Sequence, residues 1–95
     1  MDLASSMQIV TVLHRHEDGF HTFTSPEIPG LYMVVTSDDL QGAYRDLPRA
    51  LEKLIFADSG KRVRVEPAQT YDAYLKSRPD SHLAVTHHYQ ISKAA

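Results

Sequence analysis

The fold of this chain is decided by residues 8–25, QIVTVLHRHEDGFHTFTS. Residues 8–16 are rich in β-branched side chains and show no helical period, which predicts a strand. Asp18-Gly19 is the strongest short signal for a hairpin, because a type I′ turn needs a positive φ at both central residues. Residues 20–25 then form the second strand. The predicted register pairs Glu17 with Phe20, His16 with His21, Arg15 with Thr22 and His14 with Phe23.

The predicted sheet has two faces, and neither is wholly polar. One face of the hairpin carries Ile9, Thr11, Leu13, Phe20, Thr22 and Thr24, and the other carries Val10, Val12, His14, His16, His21 and Phe23. Residues 31–36 add a third strand with apolar side chains on both faces. An antiparallel sheet in a monomer commonly buries one face and leaves the other in water. We therefore expect a second cover, from another copy, from a partner or from the C-terminal segment.

The next apolar pattern predicts a helix over residues 38–57. Its apolar positions recur at helical spacing: Leu40, Tyr44, Leu47, Leu51, Leu54 and Ile55. Ser37 is the expected N-cap, because a serine hydroxyl accepts a hydrogen bond from the first turn. Pro48 lacks a backbone donor, so we expect a break or kink near Asp46. Gly60 is expected to end the helix.

The remaining residues predict three short elements. Residues 61–66 alternate valine with charged side chains and indicate a strand, and residues 71–77 indicate a brief helix capped by Thr70. Residues 82–92 indicate a final strand. The predicted fold class is α+β: an antiparallel sheet of three to four strands with one main helix on one face, a short helix and the C-terminal strand. The expected core comprises Ile9, Leu13, Phe20, Leu31, Met33, Leu47, Leu51, Leu54 and Ile55.

Length and composition limit what this chain can be. Its 95 residues are enough for one core, so residues 1–95 are predicted to be one domain, in which 79–95 form a strand or arm that oligomer subunits could exchange. The absence of cysteine excludes disulfides, thiolate metal sites and cysteine nucleophiles. No apolar run approaches the roughly 20 residues of a membrane span, and no secretory signal is visible. We expect a cytoplasmic protein without membrane contact.

Charge is distributed unevenly along the chain. Residues 1–44 carry one cation and six anions, whereas residues 45–64 carry six cations and three anions. Arg45, Arg49 and Lys53 share one helix face, on the side away from the leucines. We interpret this face as solvated, because a nucleic-acid-binding domain usually shows a basic excess overall and a motif that enters a groove. Direct nucleic-acid binding is therefore not expected.

The histidines are the strongest candidates for chemistry. His14, His16 and His21 share one face of the hairpin, close enough for two or three imidazoles to bind a metal ion. That face has no carboxylate near the turn to orient such ligands, so we predict no metal and no cofactor, and a partly polar face in water or in an interface. A metal-dependent hydrolase using these histidines stays as an alternative. His87 and His88 are neighbours on a strand, so their side chains point to opposite faces and should lie at a surface or an interface.

Motifs for covalent catalysis are missing from the sequence. It contains neither a Gly-x-Ser-x-Gly nucleophile motif nor a glycine-rich phosphate loop. Ser81-His82 follows Asp80, but this is a sequence neighbourhood in an expected loop and not a geometry. We therefore predict no catalytic residues and no enzyme.

The order of motifs between residues 8 and 57 is similar to that of one known family. A hairpin tipped by Asp18-Gly19 is followed by the turn PEIPG at residues 26–30, a third strand and a helix containing LPRAL at residues 47–51. This order resembles the HicB-type antitoxin family. The helix entry differs from the family pattern, because Gly42 stands in its first turns.

The resemblance implies a fold, an activity and a partner. The fold would be a small, degraded ribonuclease-H-like sheet that lacks nuclease residues. The activity would be neutralisation of a small RNA-cleaving toxin by binding over its catalytic histidine, usually from a homo-oligomer. Many members also carry a C-terminal DNA-binding module, for which residues 66–95 are too short.

Two functions are therefore expected. The first is a non-enzymatic, HicB-like domain that masks a toxin partner, and the alternative is an orphan homodimeric regulatory or accessory protein with no toxin. The partner would bind on the sheet face or the final strand. The residues predicted to bind it are Val10, Val12, His14, Phe23, Tyr32, Val34, Leu83, Val85, Tyr89 and Ile91.

Overall fold

The chain folds as an antiparallel sheet with one long helix packed against it. The computed structural model describes residues 9–76, except the side chain of Leu75, and residues 84–93. The strands there are β1 (Ile9–Glu17), β2 (Phe20–Thr24), β3 (Tyr32–Thr36), β4 (Val63–Pro67) and β5 (Val85–Lys93), and the helices are α1 (Leu40–Ser59) and α2 (Tyr71–Lys76). The order across the sheet is β3-β2-β1-β5-β4. The predicted α+β class is confirmed, and all five strands belong to one sheet.

The β1–β2 hairpin forms as the sequence predicts. Asp18 and Gly19 occupy the turn with φ values of 54° and 79°, the left-handed conformation that a type I′ turn requires. The predicted register is confirmed along the whole hairpin. A two-residue turn thus fixes which side chains of both strands share a face.

The loop between β2 and β3, residues 25–31, is built into the core. Ile28 and Leu31 are almost completely buried, and the Leu31 N–H donates to the Ile28 carbonyl at 3.0 Å. Gly30 lies against α1, where a Cβ would come within 3.1 Å of Leu54 Cδ2. A larger residue at this position would therefore require the Leu54 side chain to shift by a few tenths of an ångström.

Glu27, in the same loop, forms a hydrogen bond with the backbone of β1 in the part of β1 that β2 does not pair with. Its carboxylate accepts a hydrogen bond from the Thr11 N–H. Thr11 precedes Leu13, where the pairing of β1 with β2 ends. A side chain thus takes the place of a strand, and this gives the proline-flanked turn a structural role.

Helix α1 runs through Pro48, so there is no break near Asp46; a kink there stays a prediction. Leu47 and Leu51 on either side of the proline are fully buried. Their burial against one sheet face holds both halves of the helix together and compensates for the backbone hydrogen bond that proline cannot donate.

The predicted end of α1 is confirmed and its predicted N-cap is not. Gly60 adopts a φ of 73°, and its N–H donates to the Phe56 carbonyl at 2.8 Å. Ser37 instead begins a single 3-10 turn, Ser37–Asp39, before α1. Asp39 therefore takes the N-cap position of α1, without a side-chain cap hydrogen bond, and the Ser37 hydroxyl donates to the Gly19 carbonyl at 3.3 Å.

The C-terminal elements complete the sheet from within the chain. Thr70 caps α2 as predicted, since its hydroxyl oxygen accepts the Ala73 N–H at 3.2 Å. β5 lies between β1 and β4 and pairs with both. The described part of the predicted 79–95 arm is therefore an internal strand of its own sheet. None of the helices in the described ranges is long and apolar enough to cross a bilayer.

The structure buries the hairpin face opposite to the one that was predicted to form the core. Val10, Val12 and Phe23 are fully buried beneath the helices, whereas Ile9 is 54% and Phe20 49% exposed. The prediction is confirmed for Leu31, Leu47, Leu51 and Ile55, while Leu13, Met33 and Leu54 are half-buried. The inner face carries three histidines besides its apolar side chains. The structure can bury it because those histidines are hydrogen-bonded to one another.

Candidate functional site

The outer face of the sheet, defined as the face turned away from α1, carries the exposed apolar side chains. Tyr32 and Val34 on β3 are 74% and 44% exposed, and Phe20 and Ile9 on the neighbouring strands are about half exposed. Half-buried threonines of β1 and β2 lie between them. We call Phe20, Tyr32 and Val34 the outer patch; Ile9 lies apart from them, at the opposite end of β1 from Glu17, the partner of Phe20. The outer patch provides a surface that another protein can cover.

The residues predicted to bind a partner are divided between the two faces. Tyr32 and Val34 belong to the outer patch. Five others are buried beneath α1 and α2 of the same chain: Val10, Val12, His14, Phe23 and Tyr89. Val85 and Ile91 are half-buried, and Leu83 lies outside the described residues. The predicted partner face must therefore be corrected, because the chain's own helices already cover the inner one.

Three buried histidines form a hydrogen-bonded row across the inner face. His14 Nδ1 lies 2.9 Å from His87 Nε2, and His14 Nε2 lies 2.7 Å from His21 Nδ1. Gln69 Nε2 extends the row at one end, 2.7 Å from His87 Nδ1. Ser37 Oγ extends it at the other end, 3.3 Å from His21 Nε2. We call these five residues the histidine row.

Strand pairing explains why the three imidazoles meet. β1 lies between β2 and β5, so His14 has a neighbour strand on each side. Phe23 is directly opposite His14 on β2, and Val85 is directly opposite on β5. His21 and His87 each lie two residues from those partners and therefore share the face of His14. Three adjacent strands thus contribute one imidazole each.

One assignment of the protons, with the Gln69 amide nitrogen facing His87, satisfies the whole row. The amide nitrogen of Gln69 can only donate, so His87 Nδ1 accepts and His87 Nε2 carries the proton. The same reasoning places the protons of His14 and His21 on Nε2, and His21 then donates to Ser37 Oγ. This assignment satisfies both nitrogens of every ring with all three rings neutral.

The environment of the row favours neutral imidazoles. Tyr74 from α2 packs over His87, with ring centroids 4.6 Å apart, and Phe23 stacks on His14 at 4.4 Å. Burial, and to a smaller extent the charge of His88, lower the pKa of His87 to about 4. His87 is therefore neutral at pH 7.

Two tyrosine hydroxyls are buried near the row without a hydrogen-bond partner among the described residues. They belong to Tyr74 and Tyr89, whose side chains are each 1% exposed. Burial raises the pKa of both phenols well above the usual range. Both hydroxyls therefore stay protonated and cannot serve as bases.

Ser37, His21 and His14 have the connectivity of a nucleophile, a base and an orienting group. The Ser37 oxygen lies 3.3 Å from both the Gly19 carbonyl and His21 Nε2, and its single proton can bond to only one of them. A general base must accept the proton of the nucleophile. With the Ser37 proton on the Gly19 carbonyl, the arrangement is a structural hydrogen-bond chain.

The hairpin histidines share one face, as predicted, but they are not arranged around a common metal position. His14 directs its two nitrogens to two different imidazoles. His16 stacks on His21, with ring centroids 4.3 Å apart. Within residues 9–76 and 84–93, no group of three or more histidine, aspartate or glutamate side chains has the geometry to hold a metal ion.

The basic residues of α1 lie on its solvent side, as predicted, beside an open groove. The groove has a volume of about 430 Å³ and is bordered by Arg45, Arg49 and Arg64. Glu52 also borders it, and its carboxylate accepts the Val65 N–H at 2.9 Å. Arg45 pairs with the neighbouring Asp46. Acidic groups thus interrupt the basic surface.

Sequence reasoning missed Gln69 and Ser37 as members of the row and expected His87 at a surface or an interface. The alternation Val85, His87, Tyr89 was a usable signal, because it places His87 among apolar side chains while His88 points away. The pairing of β5 with β1 was not predicted, and without it His87 cannot be placed beside His14.

Searches of family models, curated proteins and solved structures returned no match to this chain.

Proposed function

We propose that this chain is a cytoplasmic, non-enzymatic protein-binding domain of the HicB-like type, which masks a small RNA-cleaving toxin. The observation that carries the proposal is the outer patch, in which Tyr32 is 74% exposed. Clustered apolar side chains on an otherwise wet sheet face are typical of a surface that another protein covers. No cofactor or metal is part of this proposal.

Exposed anions lie at the Phe20 end of the patch and support a basic partner. Glu17 is directly opposite Phe20, Asp18 is in the adjoining turn, and Asp38 and Asp39 follow β3 in the 3-10 turn. A protein that cleaves RNA needs a basic surface to bind the phosphate backbone. Carboxylates beside an apolar patch are complementary to such a surface and would steer its approach.

The order of motifs also supports a HicB-like protein. The turn at residues 26–30, the most specific part of the resemblance, contacts the core, β1 and α1. Ile28 is buried in the core, Glu27 binds β1, and Gly30 contacts α1.

The first test combines co-purification with an RNA-cleavage assay. We expect the chain to co-purify from its native host with a small basic ribonuclease, and to stop RNA cleavage by that protein at equimolar concentration. Tyr32→Ser should weaken this inhibition at least tenfold, because it removes the largest exposed side chain of the outer patch. Inhibition constants from cleavage of a labelled RNA provide the measurement.

Phe56→Ser is the matched control for this test. Phe56 is also an exposed aromatic residue, 45% exposed, but it lies on α1. Its replacement should leave inhibition unchanged. The proposal fails if no small basic ribonuclease co-purifies, or if both serine variants inhibit as well as the unmodified chain.

A specific observation favours the alternative, an orphan homodimeric regulatory or accessory protein. The two edge strands differ: β4 carries Arg64, Glu66 and Pro67, which discourage pairing with another strand. β3 reads Tyr-Met-Val-Val-Thr and has no charge and no proline. Two copies of β3 paired antiparallel about Val34 would bring no charges together. A second copy is therefore the alternative partner at this edge.

Val34→Lys tests the dimer. It should shift the light-scattering mass from that of two chains to that of one, because two lysines would face each other across the two-fold axis. Gln90→Lys, the same charge at an exposed position of the central strand β5, should leave the mass unchanged. A single-chain mass for the unmodified protein would exclude the dimer. Truncation of the C-terminal segment cannot replace this test, because it would remove β5 from the sheet.

A further inference from the structure

We propose that β3 is a strand-addition site: an extended segment of the partner, uncharged in the middle and basic at its N-terminal end, pairs antiparallel with the free edge of β3. The inference rests on the proposed function for the identity of the partner, a small RNA-cleaving protein. It adds the way in which that partner is held, through backbone hydrogen bonds as well as side chains.

The pairing of β3 with β2 determines where the backbone groups of β3 point. The Ser37 N–H donates to the Gly19 carbonyl at 3.2 Å, so these residues form a hydrogen-bonded pair just beyond the end of β3. Hydrogen-bonded and non-hydrogen-bonded pairs alternate along an antiparallel ladder, and the residues of β3 that bond to β2 are therefore Val35 and Met33. The backbone groups of three residues point away from β2: Tyr32, Val34 and Thr36.

These outward backbone groups are open in the part of the chain that the structure describes. No hydrogen bond within residues 9–76 and 84–93 occupies the N–H of Tyr32, Val34 or Thr36. Tyr32 and Val34 also carry exposed side chains of the outer patch. A partner that covers both side chains and edge removes these donors from water, and they then need acceptors. An extended strand supplies acceptors at the matching spacing.

The opposite edge of the sheet, β4, offers much less to an added strand. The Ala68 N–H donates to the His88 carbonyl at 2.9 Å, so by the same alternation Val65 and Pro67 point outward. The Glu52 carboxylate of α1 accepts the Val65 N–H at 2.9 Å, and a proline has no N–H. A strand that adds to this sheet is therefore directed to β3.

The side chains of β3 determine the middle of the segment. Tyr32 and Val34 are exposed on the outer face, and Met33 and Val35 are half-buried on the other face. None of them is charged, so a charged residue opposite them would lose hydration without gaining a partner. The middle of the segment is therefore uncharged, with β-branched or aromatic side chains that pair well across strands.

The acidic residues after β3 determine the end of the segment. Asp38 and Asp39 follow Thr36 in the 3-10 turn and are exposed. Arg45 of α1 is attracted by Asp39 but donates to Asp46, and within the described residues Asp38 forms no ion pair. An antiparallel segment begins beside Thr36 and runs back along β3, so its first residues lie nearest to these carboxylates. Lysine or arginine there complements their charge.

The test uses a synthetic segment, Lys-Lys-Val-Thr-Val-Thr-Val with blocked ends, and the uniformly ¹⁵N-labelled full chain. We expect saturable binding in which the amides of Tyr32, Val34 and Thr36 shift and gain protection from hydrogen exchange. The reversed segment, Val-Thr-Val-Thr-Val-Lys-Lys, should bind at least about threefold more weakly, because its lysines lie away from the carboxylates. Equal affinity of the two segments, or no binding up to about 2 mM, would overturn the proposal.

Val34→Pro and Val34→Ala separate backbone pairing from side-chain contact. Val34→Pro removes the central outward N–H and keeps an apolar side chain, and proline is tolerated on an edge strand where its nitrogen faces solvent. It should weaken binding of the segment, and inhibition of the ribonuclease, at least about tenfold. Val34→Ala keeps the N–H and should weaken both at most about threefold. Equal effects would show that the partner contacts only side chains and would contradict strand addition.

Thr36→Pro and Thr36→Ala repeat the comparison if Val34→Pro does not fold, since Thr36 has a φ of −77° that proline adopts readily. If the segment binds at β3 but no ribonuclease co-purifies, the proposed function fails and the strand-addition site stands. If both Val34 variants inhibit the ribonuclease equally, the inference fails and the proposed function stands. Protection of the β3 amides in a two-chain particle without the segment would assign this edge to a second copy and would also overturn the inference.

Discussion

At the scale of single residues, the buried polar groups of this core fall into two classes. The imidazoles of His14, His21 and His87 are satisfied by one another, so their burial has a low cost. The hydroxyls of Tyr74 and Tyr89 have no partner in the described part of the chain. An unsatisfied buried hydroxyl costs about 1–3 kcal/mol, because it has lost its hydrogen bonds to water.

Tyr89→Phe should therefore stabilise the protein by about 1 kcal/mol, since it removes a buried hydroxyl and keeps the ring. Tyr44→Phe is the matched control. It removes a hydroxyl that donates to the Gln69 carbonyl and should destabilise by about 1 kcal/mol. Urea unfolding followed by circular dichroism gives both values. A loss of stability in Tyr89→Phe would show that its hydroxyl has a partner after all.

At the scale of elements, residues close together in the sequence correctly predicted most of the turns and element ends. The Asp18-Gly19 turn, the hairpin register, the Gly60 terminus and the Thr70 cap depend on residues close in sequence, and all are confirmed. The predicted break at Pro48 does not occur, because Leu47 and Leu51 are buried against the sheet and keep α1 continuous. Ser37 does not cap α1 as predicted, because it begins a 3-10 turn in which it bonds to Gly19 of the hairpin.

Leu51→Asp should prevent folding, because Leu51 is fully buried where α1 meets the sheet. An unpaired buried carboxylate costs more than the margin of about 5–15 kcal/mol by which small domains are stable. Lys53→Asp, at an exposed position of the same helix, should change stability by less than about 0.5 kcal/mol. Thermal unfolding measured by circular dichroism compares the two. A soluble Leu51→Asp protein with a cooperative transition would contradict the placement of α1.

At the scale of the whole molecule, the sequence predicts which residues share a face but not which face the helix covers. Periodicity correctly separates Val10, Val12 and Phe23 from Ile9 and Phe20. The choice between the two sets depends on whether His14 can be buried, and that depends on His87, far away in the sequence. The candidate binding surface was therefore only partly predicted, through Tyr32 and Val34, and the row not at all.

The central position of β5 has a consequence for the protein while it is being synthesised. The β1–β2–β3 meander and α1 leave the ribosome first, and until β5 follows, the edge of β1 that it will occupy is open along Ile9–His14. This open edge of β1 can pair with another strand of similar side-chain pattern, including β5 of a neighbouring nascent chain on the same messenger RNA. Closely spaced ribosomes would therefore favour chains that exchange β5 with each other, and widely spaced ribosomes would favour chains in which β5 pairs with β1 of the same chain.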